Sequence, residues 1–281
     1  MKKFNSTYSG FRGCLPYQLR QKLVGKDLSR ATQDFVSWVN DIAVDFHSKI
    51  NPWMTFSDIS RVQLSAPDVF GLPVNLSYID SGMSGSVYKI NIGGHNFALK
   101  INRVHRVSTC DLENMHLYSR MRNFINRPHI GAVFKNHGAE YTWILTDYID
   151  KDINNGFELA RNKVFFMSLL KGITCDDFRE SNVKNGKLID LDALSKLNLL
   201  YNLSAADKEV LQRVALFMRR GQDFNLHQTL RMVALRYPNV VCHLFLCLNM
   251  ENVPVDFGRY KNILAAVIQE KYIENIVLKR N

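Results

Sequence analysis

A chain of 281 residues with 46% hydrophobic side chains can bury a full core, with room for two lobes and a small extension. Its formal net charge of +10 favours acidic partners, yet the basic residues are spread along the chain, and pairs such as Arg219-Arg220 and Lys279-Arg280 suit a solvated surface; nucleic acid is not expected as a partner. No apolar run reaches membrane-spanning length, since the longest, 240–248, is the size of a strand or core helix and contains His243, so integral membrane association is excluded.

In chain order, residues 28–50 carry Phe35, Val36, Trp38, Val39, Ile42 and Phe46 at mixed three- and four-residue spacing, opened by Ser29 and closed at Asn51-Pro52. This pattern predicts an amphipathic helix. Residues 71–150 read as strand-rich. Within them, 78–100 predicts two strands joined by a tight Gly93-Gly94 turn, with Gly82-Met-Ser84-Gly85-Ser-Val87 before the first. Glycines so placed let backbone amides close over phosphate. A helical stretch is expected around Glu113 and another over 158–170. Beyond Asp192 the pattern is nearly all helical, with helices expected over 205–219 after a cap at Ser204, over 226–236, around 240–248 and over 260–277.

The cysteines number five, odd and without a Cys-x-x-Cys pair, which argues for reduced thiols. Zinc has no support, because the histidines are scattered and Cys242 and Cys247 lack ligand-spaced partners.

The run from Cys175 to Asp192 carries the chemistry. Asp177 and Asn182 stand five apart, and Asp190 ends an apolar stub eight residues later. That is the order of parts a phosphoryl-transfer site needs: a carboxylate to orient an attacking hydroxyl, then an amide and a second carboxylate to hold Mg²⁺. Each residue alone has an ordinary reading as turn, surface charge or strand end. Their ordered conjunction is what points to a site.

With these motifs in order, residues 76–192 resemble the protein kinase superfamily. The 82–87 segment is similar to the second half of the kinase glycine-rich loop, with Asp80 where the first glycine would stand. Phe97-Ala-Leu-Lys100 resembles the strand whose lysine reaches the α- and β-phosphates, and Glu113 matches the acid that braces it. Tyr141-Thr-Trp-Ile-Leu-Thr146-Asp147-Tyr148-Ile149 looks like the strand that runs into the hinge, with Thr146 as gatekeeper and the 147–149 backbone meeting adenine. The resemblance implies ATP and Mg²⁺ as cofactors. It assigns Asp177 and Lys100 to catalysis and Gly82, Ser84, Gly85, Val87, Lys100, Glu113, Asp147, Tyr148 and Ile149 to the nucleotide. Asn182 and Asp190 fall to the metal, with Asp192 a further metal contact or a structural turn.

The departures narrow the family. Cys175-Asp176-Asp177 stands for His-Arg-Asp, Asp190-Leu-Asp192 stands for Asp-Phe-Gly, no Ala-Pro-Glu follows, and only about thirty residues separate hinge and Asp177. This plan resembles the bacterial effector kinases delivered into host cells by type III secretion, the OspG, NleH and SteC group. The implied fold is α+β: a two-lobed kinase-like chain with an N-terminal helical extension over 1–70, a small lobe over 71–150 and a minimal, mostly helical large lobe over 151–281 that lacks a regular activation segment. The implied function is a protein serine/threonine kinase acting on a host protein. The implied location is the host cytoplasm, and residues 1–10 have no apolar core of a cleaved secretory signal. A host ubiquitin-conjugating enzyme or ubiquitin is an implied regulator. Two alternatives stay open, a catalytically weak kinase-fold binding module and a small-molecule phosphotransferase of the aminoglycoside or choline kinase type.

Overall fold

In β3 (Gly85–Ile92) Tyr88, Ile90 and Ile92 are buried, while Val87, Lys89 and Asn91 between them are only partly covered, the period of two of a strand with unequal faces. β4 (His95–Asn102) repeats the pattern with Phe97, Leu99 and Ile101. Gly93 and Gly94, at φ +56° and +91°, join them in the doubly left-handed turn that matches strand twist. The structure, a computed structural model, describes residues 8–51, 53–82, 84–103, 123–150, 156–175, 177–190, 194–196, 202–250 and 253–278. It is an α+β chain that divides into two compact units, Met1–Asp150 and Lys151–Asn281.

The first unit is built on a six-stranded antiparallel sheet in the order β1-β5-β6-β4-β3-β2, where β1 is Tyr8–Gly13, β2 Val74–Ser81, β5 Pro128–Asn136 and β6 Ala139–Asp147. One expectation is corrected here. The stretch 78–100 contributes to three strands, not two, because 78–81 closes β2, and the Gly82 amide, donating to the Gly85 carbonyl, closes the turn into β3. Within the first 70 residues, strand β1 pairs with β5, and the short helices α1 (Tyr17–Lys22) and α3 (Phe56–Ser60) and the long α2 (Leu28–Lys49) pack into the same core as the sheet.

Helix α2 begins at Leu28, where the pattern placed it, but its cap is Asp27 and not Ser29, because the Asp27 carboxylate accepts from the amides of Ser29 and Arg30. Ala31, Phe35, Val39, Ile42 and Phe46 form its buried stripe, which meets Tyr88, Phe97, Leu99, Trp143 and Leu145 of the sheet in one cluster. Inside that cluster the Trp143 indole donates to Asn40 Oδ1 at 2.7 Å, so both buried polar groups have a partner.

The second unit opens with α4 (Gly156–Lys171) and β7 (Ile173–Cys175), which pairs with β10 (Leu194–Lys196). Between them β8 (Val183–Lys184) and β9 (Lys187–Leu188) form a small hairpin, turned by Asn185 and Gly186 at φ +52° and +67°. Among the described residues four α-helices follow: α5 (Ala205–Arg220), α6 (Asp223–Arg236), α7 (Pro238–Leu248) and α8 (Gly258–Leu278). Ser204 and Asp207 form the reciprocal capping box of α5, and Gly221 ends it at φ +61°. The ambiguous apolar run 240–248 is helix, entered through Pro238 at its first position. Buried His243 donates from Nε2 to the Leu169 carbonyl at 2.9 Å, tying α7 to α4. Among the described residues no helix is long and apolar enough to cross a membrane.

Candidate functional site

The candidate residues fall into the two units, and each group is held by its own local structure. In the first unit Val87, Lys100 and Ile144 form one cross-strand row, and Lys89, Ala98 and Thr146 form the next. Partners directly opposite in antiparallel strands point to the same side. Lys100 therefore stands on the sheet face away from Phe97, Leu99 and Ile101, the residues packed toward α2, and it is half-buried. Glu113, its expected partner, lies outside the described residues.

The two glycines before Val87 differ in what they are for. A Cβ on Gly85 would fall 2.6 Å from the Ile101 carbonyl and 3.0 Å from Asn102 Oδ1, so a close approach of β3 to β4 demands glycine there. Around Gly82 nothing lies within 4 Å of such a carbon. The turn is tied from below, because the Arg103 amide donates to the Ser84 carbonyl at 2.8 Å and its guanidinium donates to the Gly82 carbonyl. Burial lowers the Arg103 pKa from its ordinary value, with Tyr78 acting in the opposite sense. Arg103 was not among the expected site residues, since a cation three positions past a strand lysine carries no pattern of its own.

At the end of β6, Thr146 is buried and Asp147 exposed. The Asn126 side chain donates to Thr146 Oγ1 at 3.1 Å and to the Asp147 carbonyl at 2.7 Å, while His129 Nε2 meets the Asp147 carboxylate at 2.8 Å. The Tyr148 amide donates to Asn96, and its ring lies 4.4 Å below the Lys89 ammonium. Ile149 is half-buried. Asn126 and His129 thus fix the 146–148 backbone. Sequence reading missed both, because they act from a neighbouring strand and its approach.

In the second unit the structure brings Asp177, Asn182 and Asp190 into one small loop-and-hairpin. The Asn182 side-chain amide donates to the Asp177 carbonyl at 2.9 Å and to its Oδ2 at 3.1 Å. The Ile189 amide donates to the Asn182 carbonyl at 3.0 Å, continuing the β8–β9 pairing by one step, so Asp190 follows the residue that faces Asn182. Asp177 Oδ1 accepts from the Arg179 guanidinium through both Nε and an Nη. Arg179 is mostly exposed and was not singled out from sequence, although its position two residues after Asp177 lets it fold back on that carboxylate.

The hairpin rests on α4. Lys163 donates to the Gly186 carbonyl at 2.9 Å, and its pKa is lowered, chiefly by burial and then by the neighbouring Lys187. Phe157 stacks on Phe178 at 4.8 Å, and Arg161 covers the outer face of Phe157. Helix, loop and hairpin therefore hold the segment of Asp177 and Asn182 through aromatic contact and backbone pairing. Asp192 lies outside the described residues.

Comparison of the chain with protein-family models and with curated proteins finds no match.

Proposed function

We propose that this chain is an ATP-dependent protein serine/threonine kinase, of the two-lobed kinase-like class and similar in plan to type III secreted bacterial effector kinases that act on proteins of the host cytoplasm. The observation that carries the reading is the hydrogen-bonded Asp177–Asn182 pair, with Asp190 next in the chain after Ile189, whose amide donates to the Asn182 carbonyl. A carboxylate, an amide oxygen and a second carboxylate in that order supply the base and the hard oxygen ligands of phosphoryl transfer. Because Asn182 spends its NH₂ group on Asp177, its carbonyl oxygen is not engaged by that carboxylate.

Asn182 and Asp190 are the residues that would hold Mg²⁺. Held there, the metal would supply positive charge that offsets the phosphates. Asp177 orients the acceptor hydroxyl and takes its proton as the new O–P bond forms and the bond to the ADP oxygen breaks. Lys100 neutralises the α- and β-phosphates, with Glu113 as its brace. Gly82, Ser84, Gly85 and Val87 cover the phosphates, and the backbone of Asp147, Tyr148 and Ile149 meets the adenine edge.

The test is phosphate transfer from γ-labelled ATP by the purified chain, with and without Mg²⁺ and with host-cell extract as substrate source. Lys100→Ala and Asp177→Ala should each lower incorporation by roughly 10²-fold or more, the loss expected when one preorganised group is removed. Asp190→Ala should abolish Mg²⁺-dependent nucleotide binding in calorimetry. Transfer unaffected by all three substitutions, or no nucleotide binding by the wild type under any of these conditions, would overturn the reading.

A further inference from the structure

Most apolar side chains of α1 and the start of α2 are accounted for by the core. Leu15, Leu19 and Leu23 are each about 1% exposed or less. Val24, the next residue, is 87% exposed. It occupies the outer corner of a turn closed by the Lys26 amide on the Leu23 carbonyl at 3.0 Å, with Gly25 at φ +81° and nothing within 4 Å of where its Cβ would be. Leu28, the first residue of α2, is 45% exposed, and Tyr17, the first of α1, is 60% exposed. An aliphatic side chain at the tip of a projecting turn loses solvation free energy for no gain within the fold.

The surroundings are charged with one sign. Arg12, Arg20, Lys22, Lys26 and Arg30 are all exposed, and between residues 12 and 30 the sole acid is Asp27. Its carboxylate is occupied by the first amides of α2. Further along the exposed face of α2 the sign reverses at Asp34 and Asp41. The segment that carries Val24 and Leu28 is thus a run of exposed cations that gives way to acids along α2.

From this juxtaposition we infer that the turn between α1 and α2 is a peripheral docking point for an anionic membrane surface, with Val24 and Leu28 entering the acyl boundary and the lysines and arginines around them meeting lipid phosphates. The chemistry selects this occupant. A bilayer accepts a convex aliphatic tip without a matching socket, and its headgroups supply the opposite charge in the same plane. Nucleic acid would use the cations, but Val24 and Leu28 offer it neither stacking nor hydrogen bonds. The inference is independent of the phosphotransfer reading.

Sedimentation of the full chain with vesicles tests it. Phosphatidylcholine–phosphatidylserine vesicles should retain the protein at low salt, and phosphatidylcholine alone should not. Lys22→Ala combined with Lys26→Ala should weaken retention by about twentyfold, near fivefold for each charge removed. Val24→Ser, which leaves the charge unchanged, should weaken it by about tenfold, the loss of one buried aliphatic side chain. Circular dichroism should show the same fold in each variant, since all three positions are exposed. Equal retention on neutral vesicles, no binding to either kind, or a lysine effect without a Val24 effect would each overturn the inference. So would tighter, Val24-independent binding to duplex nucleic acid or to an acidic protein.

Discussion

His47 shows how one residue couples core packing to solution conditions. Its Nε2 donates to the Asn102 carbonyl at 3.0 Å, and its ring lies 4.0 Å from that of Tyr141 and against Phe134 and Phe46. Burial pulls its pKa down from 6.5 to about 4, with the hydrogen bond to Asn102 opposing the shift. The folded state therefore refuses a proton that the unfolded chain accepts between these two pH values. The stabilisation is complete above the unfolded pKa and is lost as pH falls toward 4, on the order of 3 kcal/mol at most. Denaturant titrations near neutrality and near pH 4.5 should show this loss in the wild type. His47→Phe, which keeps a ring in the stack but cannot titrate, should show a smaller difference between the two conditions. An identical pH dependence in both proteins would refute the assignment.

At the scale of elements, the β2–β3 turn separates two roles that its glycines share in sequence. Gly85→Ala forces a carbon to within 2.6 Å of the Ile101 carbonyl and 3.1 Å of Asn102 Cα, and backbone atoms cannot swing aside as a flexible side chain would. A loss of about 1–3 kcal/mol is expected, read as a lower midpoint in thermal or denaturant unfolding. Gly82→Ala meets no atom and should leave the midpoint nearly unchanged. If the turn closes over phosphates, Gly82→Ala should still weaken ATP binding. Equal stability of the two variants would show that the β3–β4 approach is not what requires Gly85.

At the scale of the whole molecule, the two units have separate cores. One joins α2 to the six-stranded sheet around Phe35, Phe46, Phe97 and Trp143, and the other joins α4 to the later helices around Phe165, Leu211, Leu244 and Tyr260. A unit with its own buried cluster can fold as its own cooperative body. Residues 1–150 expressed alone should melt in a single sharp transition followed by circular dichroism and tryptophan fluorescence. Truncation to residues 71–150 should abolish that transition, because it removes β1 and the helix that covers the sheet. A stable 71–150 fragment would refute the view that the N-terminal stretch is part of the core.

What the sequence determined by itself lies close along the chain. The stripe of α2, the Ser204 cap, the glycine turn between β3 and β4, and the Asp177, Asn182 and Asp190 series are each written within a few residues, where spacing translates directly into geometry. Tertiary structure decided what depends on distant partners. β1 is a strand because β5 offers it backbone donors and acceptors, and Tyr8–Gly13 carries no apolar alternation to announce that. Arg103, Asn126, His129 and Arg179 acquire their roles from carbonyls and carboxylates that the fold delivers to them. Hydrogen-bond partners of that kind are chosen by proximity in space, and a one-dimensional pattern records only proximity along the chain.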